Sequence, residues 1–348
     1  MRPDKGGHFT RKSASDASLV AFVVEAPADA DPAPRLEGMV TRQQGRDLTP
    51  IGDSGLWATV LEVPNDQKFN YEFSSGRGRG RGRIGGGTVE MPGWAPPPES
   101  AERPGQAYGE FRPFDFRSEV FGNDRTGWSY VPAAYDGSGP AALMVFQDGD
   151  AYRREHVGTV VENLIADGDM PVTILALLNP GVNDDGSSNR SVEYDTMSDR
   201  YATFLAEEVM PRLESEFDLR DDPSSRAIGG ASSGGICAFT VAWERPDLFA
   251  RVCSHIGSFT DIRGGGSYPG VVRESDKKPI AKVVLHDGRN DLINRFGDWW
   301  EANNRMHQAL SESGYEVEFV TDESFHGYQA AGRVLPETLR MTWEGWDD

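Results

Sequence analysis

The chain has 348 residues, 35 of them Lys or Arg and 55 Asp or Glu, for a formal net charge of −20. That length exceeds one average domain and predicts a larger domain with a smaller partner. The negative field opposes phosphate backbones and anionic headgroups, so neither nucleic acid nor membrane is an expected partner.

No apolar run approaches the roughly 20 residues of a spanning helix. The polar start up to Ala17 lacks the apolar core of a secretory signal. The expected location is cytoplasmic, or secreted or periplasmic with the leader already removed. Two cysteines, Cys237 and Cys253, cannot form a disulfide framework, and no bridge is expected.

Short β-type runs at 18–26, 35–41, 56–63 and 69–74 are separated by Pro, Asp, Asn and Gly clusters. They predict a small β-sandwich over residues 1–90, with Trp57 and Tyr71 in its core rather than on a sugar-binding face. In 76–87, Arg77, Arg79, Arg81 and Arg83 alternate with glycine, which reads as a solvated loop at a hairpin tip. Residues 91–113, with Pro96, Pro97 and Pro98 consecutive, read as an extended linker.

From Phe114 onward the pattern changes. Strand candidates at 114–121, 128–132, 141–147, 172–178, 226–229, 251–255, 281–286 and 316–321 alternate with helical stretches at 153–166, 198–217, 235–244, 297–313 and about 329–343. This alternation predicts an α/β domain over 114–348, a mostly parallel sheet with helices on both faces. Chemistry on such sheets gathers at the carboxyl ends of the strands.

Gly230-Ala231-Ser232-Ser233-Gly234 fits Gly-x-Ser-x-Gly and lies between an apolar strand and a helix. A serine on that sharp turn projects its hydroxyl above the sheet, as in the α/β-hydrolase fold. Ser232 is therefore the expected nucleophile, and Ser233, flanked by Ala231 and Gly235, is a looser match. The Ser233 backbone N–H is then one expected oxyanion donor. The second is expected near Gly149 or Asp150, just after the strand that ends at Gln147.

The base should follow the serine in chain order, after an acid. Of six histidines, His8 and His156 precede Ser232, His255 and His286 lie at strand ends, and His307 falls inside a helix. His326, in a loop after the last strand, remains. For the acid, Asp291 can reach back from a turn containing Gly288, and Asp287 is held in reserve. Asp148, Asp150, Asp184 and Asp185 do not match a calcium loop, and no His/Cys spacing suggests zinc, so no metal site is expected.

Together, 146–150 (Phe-Gln-Asp-Gly-Asp), 189–195, 229–235, 255–259, 286–291 and His326 resemble a family of esterases similar to enterochelin (ferric-siderophore) esterases. That family is broadly related to esterase D and to feruloyl and acetyl-xylan esterases. The resemblance covers 114 to the C-terminus, and the N-terminal segment is similar to the immunoglobulin-like domain that precedes many such enzymes. It implies a serine triad of Ser232, Asp291 and His326, and a role for Arg190 in binding substrate or assisting the oxyanion. A salt bridge from Arg190 to Glu193 is the alternative.

The expected activity is carboxylic ester hydrolysis through an acyl-enzyme, with no cofactor. Phe259 and Tyr328 are candidates to line the substrate pocket, together with Tyr268, Trp299 and the loop 257–270. A chain at −20 offers no broad cationic surface for a bulky anionic siderophore, so carbohydrate esters and lactones stand beside siderophore-type esters as substrates. The rivals are a catalytically idle polysaccharide-binding protein on the same scaffold, and an acyltransferase.

Overall fold

The computed structural model describes residues 7–12, 17–75 and 82–346. They form two compact units, one of Met1–Ala95 with Gly288–Asp298 and Asp322–Gln329, the other of Pro96–Asp287, Trp299–Thr321 and Ala330–Asp348.

The first unit begins with β1 (Gly7–Lys12), β2 (Ala17–Glu25), β3 (Pro34–Gly38), β4 (Arg46–Asp47), β5 (Thr49–Pro50), β6 (Leu56–Pro64), β7 (Lys68–Ser75) and β8 (Gly82–Glu90). They make two antiparallel sheets, ordered β1-β2-β6-β5 and β4-β3-β7-β8. Alternation along the strands decides what turns inward. Val20, Phe22 and Val24 of β2 share one core with Phe69, Tyr71 and Phe73 of β7, while Leu19 stays exposed. Trp57 is buried in the same core, as a sandwich requires.

Four strands lie outside the sequence reading, the two-residue β4 and β5 and the longer β1 and β8. The polar run of β1 pairs with β2 through six consecutive positions, because an edge strand is held by main-chain hydrogen bonds rather than by an apolar face. Residues 82–87 were expected in a loop but belong to β8. Gly86 takes φ +150°, and a Cβ there would lie 2.6 Å from the Tyr71 carbonyl oxygen. Glycine here lets β8 lie close over β7, which composition alone reads as looseness. Residues 76–81 of the Gly/Arg tract lie outside the described residues.

The second unit carries an eight-stranded sheet of order β18-β15-β14-β13-β11-β12-β10-β9. Its strands are β9 (Glu110–Ser118), β10 (Asn123–Val131), β11 (Ala142–Gln147), β12 (Thr173–Leu178), β13 (Arg226–Ala231), β14 (Arg251–His255), β15 (Lys282–Gly288) and β18 (Val317–Asp322). The hairpin β16 (Ile293–Asn294) and β17 (Gly297–Asp298) belongs to the first unit. The neighbours from β12 to β15 run parallel, and β10 and β9 complete the sheet in antiparallel fashion. Burial on both faces explains the unbroken apolar runs of β11 and β12.

Helices cover both faces. Leu143 and Val145 of β11 share a core with residues of α4 (Arg200–Phe204), α5 (Met210–Glu216), α6 (Ser233–Glu244), α7 (Tyr268–Glu274) and α8 (Trp299–Glu312). Phe146 points the other way, onto Tyr152 of α1 (Gly149–Arg154), and α9 (Tyr328–Trp343) reaches His255 through Thr338. This is the mixed sheet with flanking helices of an α/β-hydrolase.

The helix expected over 198–217 is interrupted by a π turn at Leu205–Val209, just before Pro211, whose ring nitrogen cannot donate to the carbonyl four residues back. Both cysteines are free and buried. Among the described residues no helix is long and apolar enough to cross a membrane.

The proline-rich stretch is not left hanging. The amide of Asn163, on α2 (Val157–Asp167), donates to the carbonyls of Glu99 (2.7 Å) and Ala101 (3.0 Å), and Glu162 accepts the N–H of Gly109 (2.7 Å). A second buried carboxylate fixes α3 (Arg190–Tyr194). Glu193 is bound by Arg125 at 2.7 Å, by Asn123 and Asn189 at 2.8 Å each, and by the N–H of Gly181 at 3.2 Å.

Removing one member of a buried pair leaves the other charge uncompensated. Glu193→Ala is therefore expected to lower the unfolding free energy by about 3–5 kcal/mol in urea titrations. A loss under about 1 kcal/mol, the range of exposed pairs, would show that this pair does not hold the segment.

Candidate active site

Strand β13 ends at Ala231, and Ser232 turns the chain into α6 with φ 59° and ψ −120°, far from any ordinary conformation of a non-glycine residue. The turn is held from four directions. Ser232 N–H donates to the His255 carbonyl at 2.9 Å, and its own carbonyl accepts from Gly235 (3.0 Å), Ile236 (3.3 Å) and Ser258 (3.0 Å). A Cβ on Gly230 would sit 2.4 Å from the Gly234 carbonyl oxygen, so the first glycine of the motif is a requirement of close approach.

The Ser232 hydroxyl lies 3.2 Å from the Ser258 hydroxyl, which lies 3.2 Å from the indole nitrogen of Trp299. Ser233 is buried at the start of α6. Burial raises the pKa of Asp195, and hydrogen bonds from Ser191 and Ser233 oppose that rise.

The expected base and acid meet in the first unit. His326 Nδ1 lies 2.6 Å from Asp291 Oδ1, with Asp291 fully buried. Three features bring the two loops together. A Cβ on Gly288 would be 2.2 Å from the Ser324 carbonyl, so only glycine permits that approach. The Asp291 N–H closes the turn onto Gly288 at 3.0 Å, and the Leu292 N–H donates to the Asp291 carboxylate. From the sandwich, Arg42 Nε donates to the Asp291 carbonyl at 2.6 Å, and Phe325 packs edge-on against Phe69 at 5.0 Å within the sandwich core. Asp287 is also fully buried, but its Oδ2 accepts from Asn303 at 2.8 Å.

Arg190 grips Asp148 with both arms at 2.8 Å, and its Nη2 lies 3.4 Å from the Ala231 carbonyl at the end of β13. Glu193, the partner first considered for it, is held by Arg125 instead. Asp148 takes a left-handed φ of 57°. Gly149 opens α1 so close to β12 that a Cβ would lie 2.4 Å from the Leu177 carbonyl carbon. The Asp150 N–H donates to Asn179 at 3.0 Å, and its side chain accepts from Trp128 at 2.8 Å. Phe259 is closed into the core against Phe239 and Tyr268, and Tyr328 stands half-buried at the start of α9.

The acidic residues that do not match a calcium loop go to separate partners: Asp184 to Arg117, Asp185 to Ser187, and Asp148 to Arg190. Among the described residues no group of three or more His, Cys, Asp or Glu could hold a metal ion. Sequence reasoning missed Ser258, Trp299 as its neighbour, and Asp148 as the partner of Arg190. The one signal for the first of these was that 255–259 is among the segments that carry the resemblance, and in the structure Ile256 takes φ 44° directly after β14.

His255 is buried beneath the elbow, 2.8 Å from the Tyr152 hydroxyl, 2.9 Å from that of Thr338 and 3.5 Å from the Cys253 sulfur. Burial, and then the neighbouring His286, hold its pKa well below the ordinary 6.5. The folded state keeps it neutral while the unfolded chain protonates near 6.5, so its contribution to stability is complete above that pH and is lost as the pH falls below it. The melting temperature is expected to drop as the solution is acidified through pH 6.5, and His255→Gln to flatten that slope. Equal slopes in the two proteins would refute the assignment.

A family model described as “Putative esterase” matches residues 118–316. The iron(III) enterobactin esterase of Dickeya dadantii is 26% identical over 220 residues, 58% of this chain and 48% of that protein. The endo-1,4-beta-xylanase/feruloyl esterase of Xylanibacter ruminicola is 23% identical over 322 residues, 84% of this chain and 40% of that protein. The chain thus spans under half the length of these curated relatives. The crystal structure of the enterobactin esterase of Shigella flexneri in the presence of enterobactin aligns with a TM-score of 0.74 at 14% identity, covering 98% of this chain and 96% of that one. It shows a shared fold. Since the matched segment takes in more than half of the 348 residues, with Ser232 inside it, the chain belongs to the “Putative esterase” family.

Proposed function

We propose that this chain is a serine carboxylic ester hydrolase in which Asp291 orients His326 and His326 activates Ser232. The observation that carries the reading is the 2.6 Å contact between His326 Nδ1 and the buried Asp291 carboxylate, on loops that follow the nucleophile in the order Ser, Asp, His. A carboxylate on Nδ1 leaves Nε2 as the acceptor for a serine proton.

In the first step Ser232 Oγ bonds to the ester carbonyl carbon while its proton passes to His326 Nε2. The carbon–alkoxy bond then breaks, and the alcohol leaves with that proton. Water repeats the sequence on the acyl-enzyme, giving the acid and restoring the serine. The Ser233 N–H, at the positive end of α6, is one donor to the oxyanion. Gly149 is favoured as the second, because the Asp150 N–H is already engaged by Asn179. Arg190, held by Asp148 beside the end of β13, serves substrate binding in this reading.

The substrate class is a carbohydrate ester, a lactone or a siderophore-type ester. The names of the relatives support a range from iron(III) enterobactin to feruloyl esters. The net charge of −20 favours the less anionic members. The N-terminal sandwich has its Trp57 and Tyr71 turned into the core, which supports a bracing role for it rather than sugar binding.

Ser232→Ala is expected to abolish turnover of short nitrophenyl esters and labelling by a fluorophosphonate, with its melting temperature retained. Asp291→Asn should lower kcat by roughly 10⁴-fold. Full activity in Ser232→Ala would end the reading.

A further inference from the structure

We propose that Ser258 is a further catalytic residue, whose hydroxyl donates to the oxygen of Ser232 because Trp299 directs it there. The proposal rests on the reading of Ser232 as nucleophile.

The direction of the chain of contacts follows from the inventory of donors. An indole N–H can only donate, so at 3.2 Å Trp299 Nε1 donates to Ser258 Oγ. Ser258 has a single hydroxyl proton, and Ser232 Oγ lies 3.2 Å away. Of its two side-chain neighbours, the Trp299 N–H and Ser232 Oγ, only Ser232 Oγ can accept that proton. In the proposed arrangement Ser232 accepts from Ser258 and keeps its own proton for the base. No proton leaves Ser258 at any stage.

The placement of Ser258 is over-determined. It is 1% exposed, and its N–H donates to the Ser232 carbonyl at 3.0 Å, so nucleophile and donor are tied through backbone as well as side chain. The preceding residue is fixed twice. The Gly257 carbonyl accepts from Asn303 at 2.9 Å, and a Cβ on Gly257 would meet the Ser254 hydroxyl at 2.6 Å. Asn303 is anchored in turn by Asp287 at 2.8 Å and by the Trp299 carbonyl at 3.1 Å. The carboxylate first held in reserve as the acid thus braces the turn that presents Ser258.

At 3.2 Å the Ser258–Ser232 contact is long for two hydroxyls. A bond of that length has room to tighten when negative charge gathers on Ser232 Oγ, since charge-assisted bonds are shorter and stronger. That difference between resting and reacting states is what accelerates a step.

The test measures kcat/KM for 4-nitrophenyl acetate and the rate of fluorophosphonate labelling, both of which report attack by Ser232. Ser258→Ala is expected to lower both by about 10- to 100-fold, the range for a lost hydrogen bond to a charged group, with KM little changed. Trp299→Phe should slow both several-fold in the wild type and have no further effect in the Ser258→Ala background, because it acts through Ser258.

A Ser258→Ala protein with wild-type rates overturns the proposal, and so does a Trp299→Phe effect of equal size in both backgrounds. Should Ser258→Ala fail to melt cooperatively, Trp299→Phe alone decides, its unchanged rate being the refuting result. Mapping the label on the wild type separates the two readings. Labelling of another serine removes Ser232 as nucleophile, whereas labelling of Ser232 alongside a fully active Ser258→Ala removes only the role of Ser258.

Discussion

A carboxylate taken wholly out of water is tolerated only when its charge is met by donors. Asp291 is in that position, and its contacts organise the loops around it. One oxygen receives the Leu292 N–H and faces the His326 ring, the backbone N–H closes onto Gly288, and the carbonyl is capped by Arg42. Because the Asp291 contact lies on Nδ1, the tautomer of His326 is set by the same arrangement that makes the buried charge acceptable. Burial of the carboxylate and the tautomer of the imidazole are one constraint.

The elbow obeys a complementary rule. Ser232 sits in a costly backbone conformation, and its two main-chain polar groups make four hydrogen bonds, to β14, to the first turn of α6 and to Ser258. Strain of this kind persists where the surroundings leave no alternative. Glycines at 230 and 257 allow those surroundings to come so near, and the buried polar residues beneath, His255 with Tyr152 and Thr338, are bonded to one another.

Much of this was legible in the residues. The change from β-type runs to alternating strand and helix announced antiparallel sheets followed by a mixed sheet with helices, and Gly-x-Ser-x-Gly in a strand-to-helix context marked Ser232 as the candidate. Elimination by chain order reached His326. What could not be read were pairings set by distance in space. Asp287 and Asp291 are four residues apart on one turn, and only the approach of Gly288 to Ser324 and the bond from Asn303 to Asp287 separate their partners. Arg190 finds Asp148 across 42 positions, which no local pattern encodes. The glycines of β8 misled because composition reports what a segment can do alone, whereas β7 supplies the register that makes it a strand.

Phe325, next to His326, is a core residue of the sandwich, and Arg42 of the sandwich reaches the backbone of Asp291. Any replacement for these two sheets would need its own socket for an aromatic ring and its own cation for a peptide oxygen 249 positions downstream.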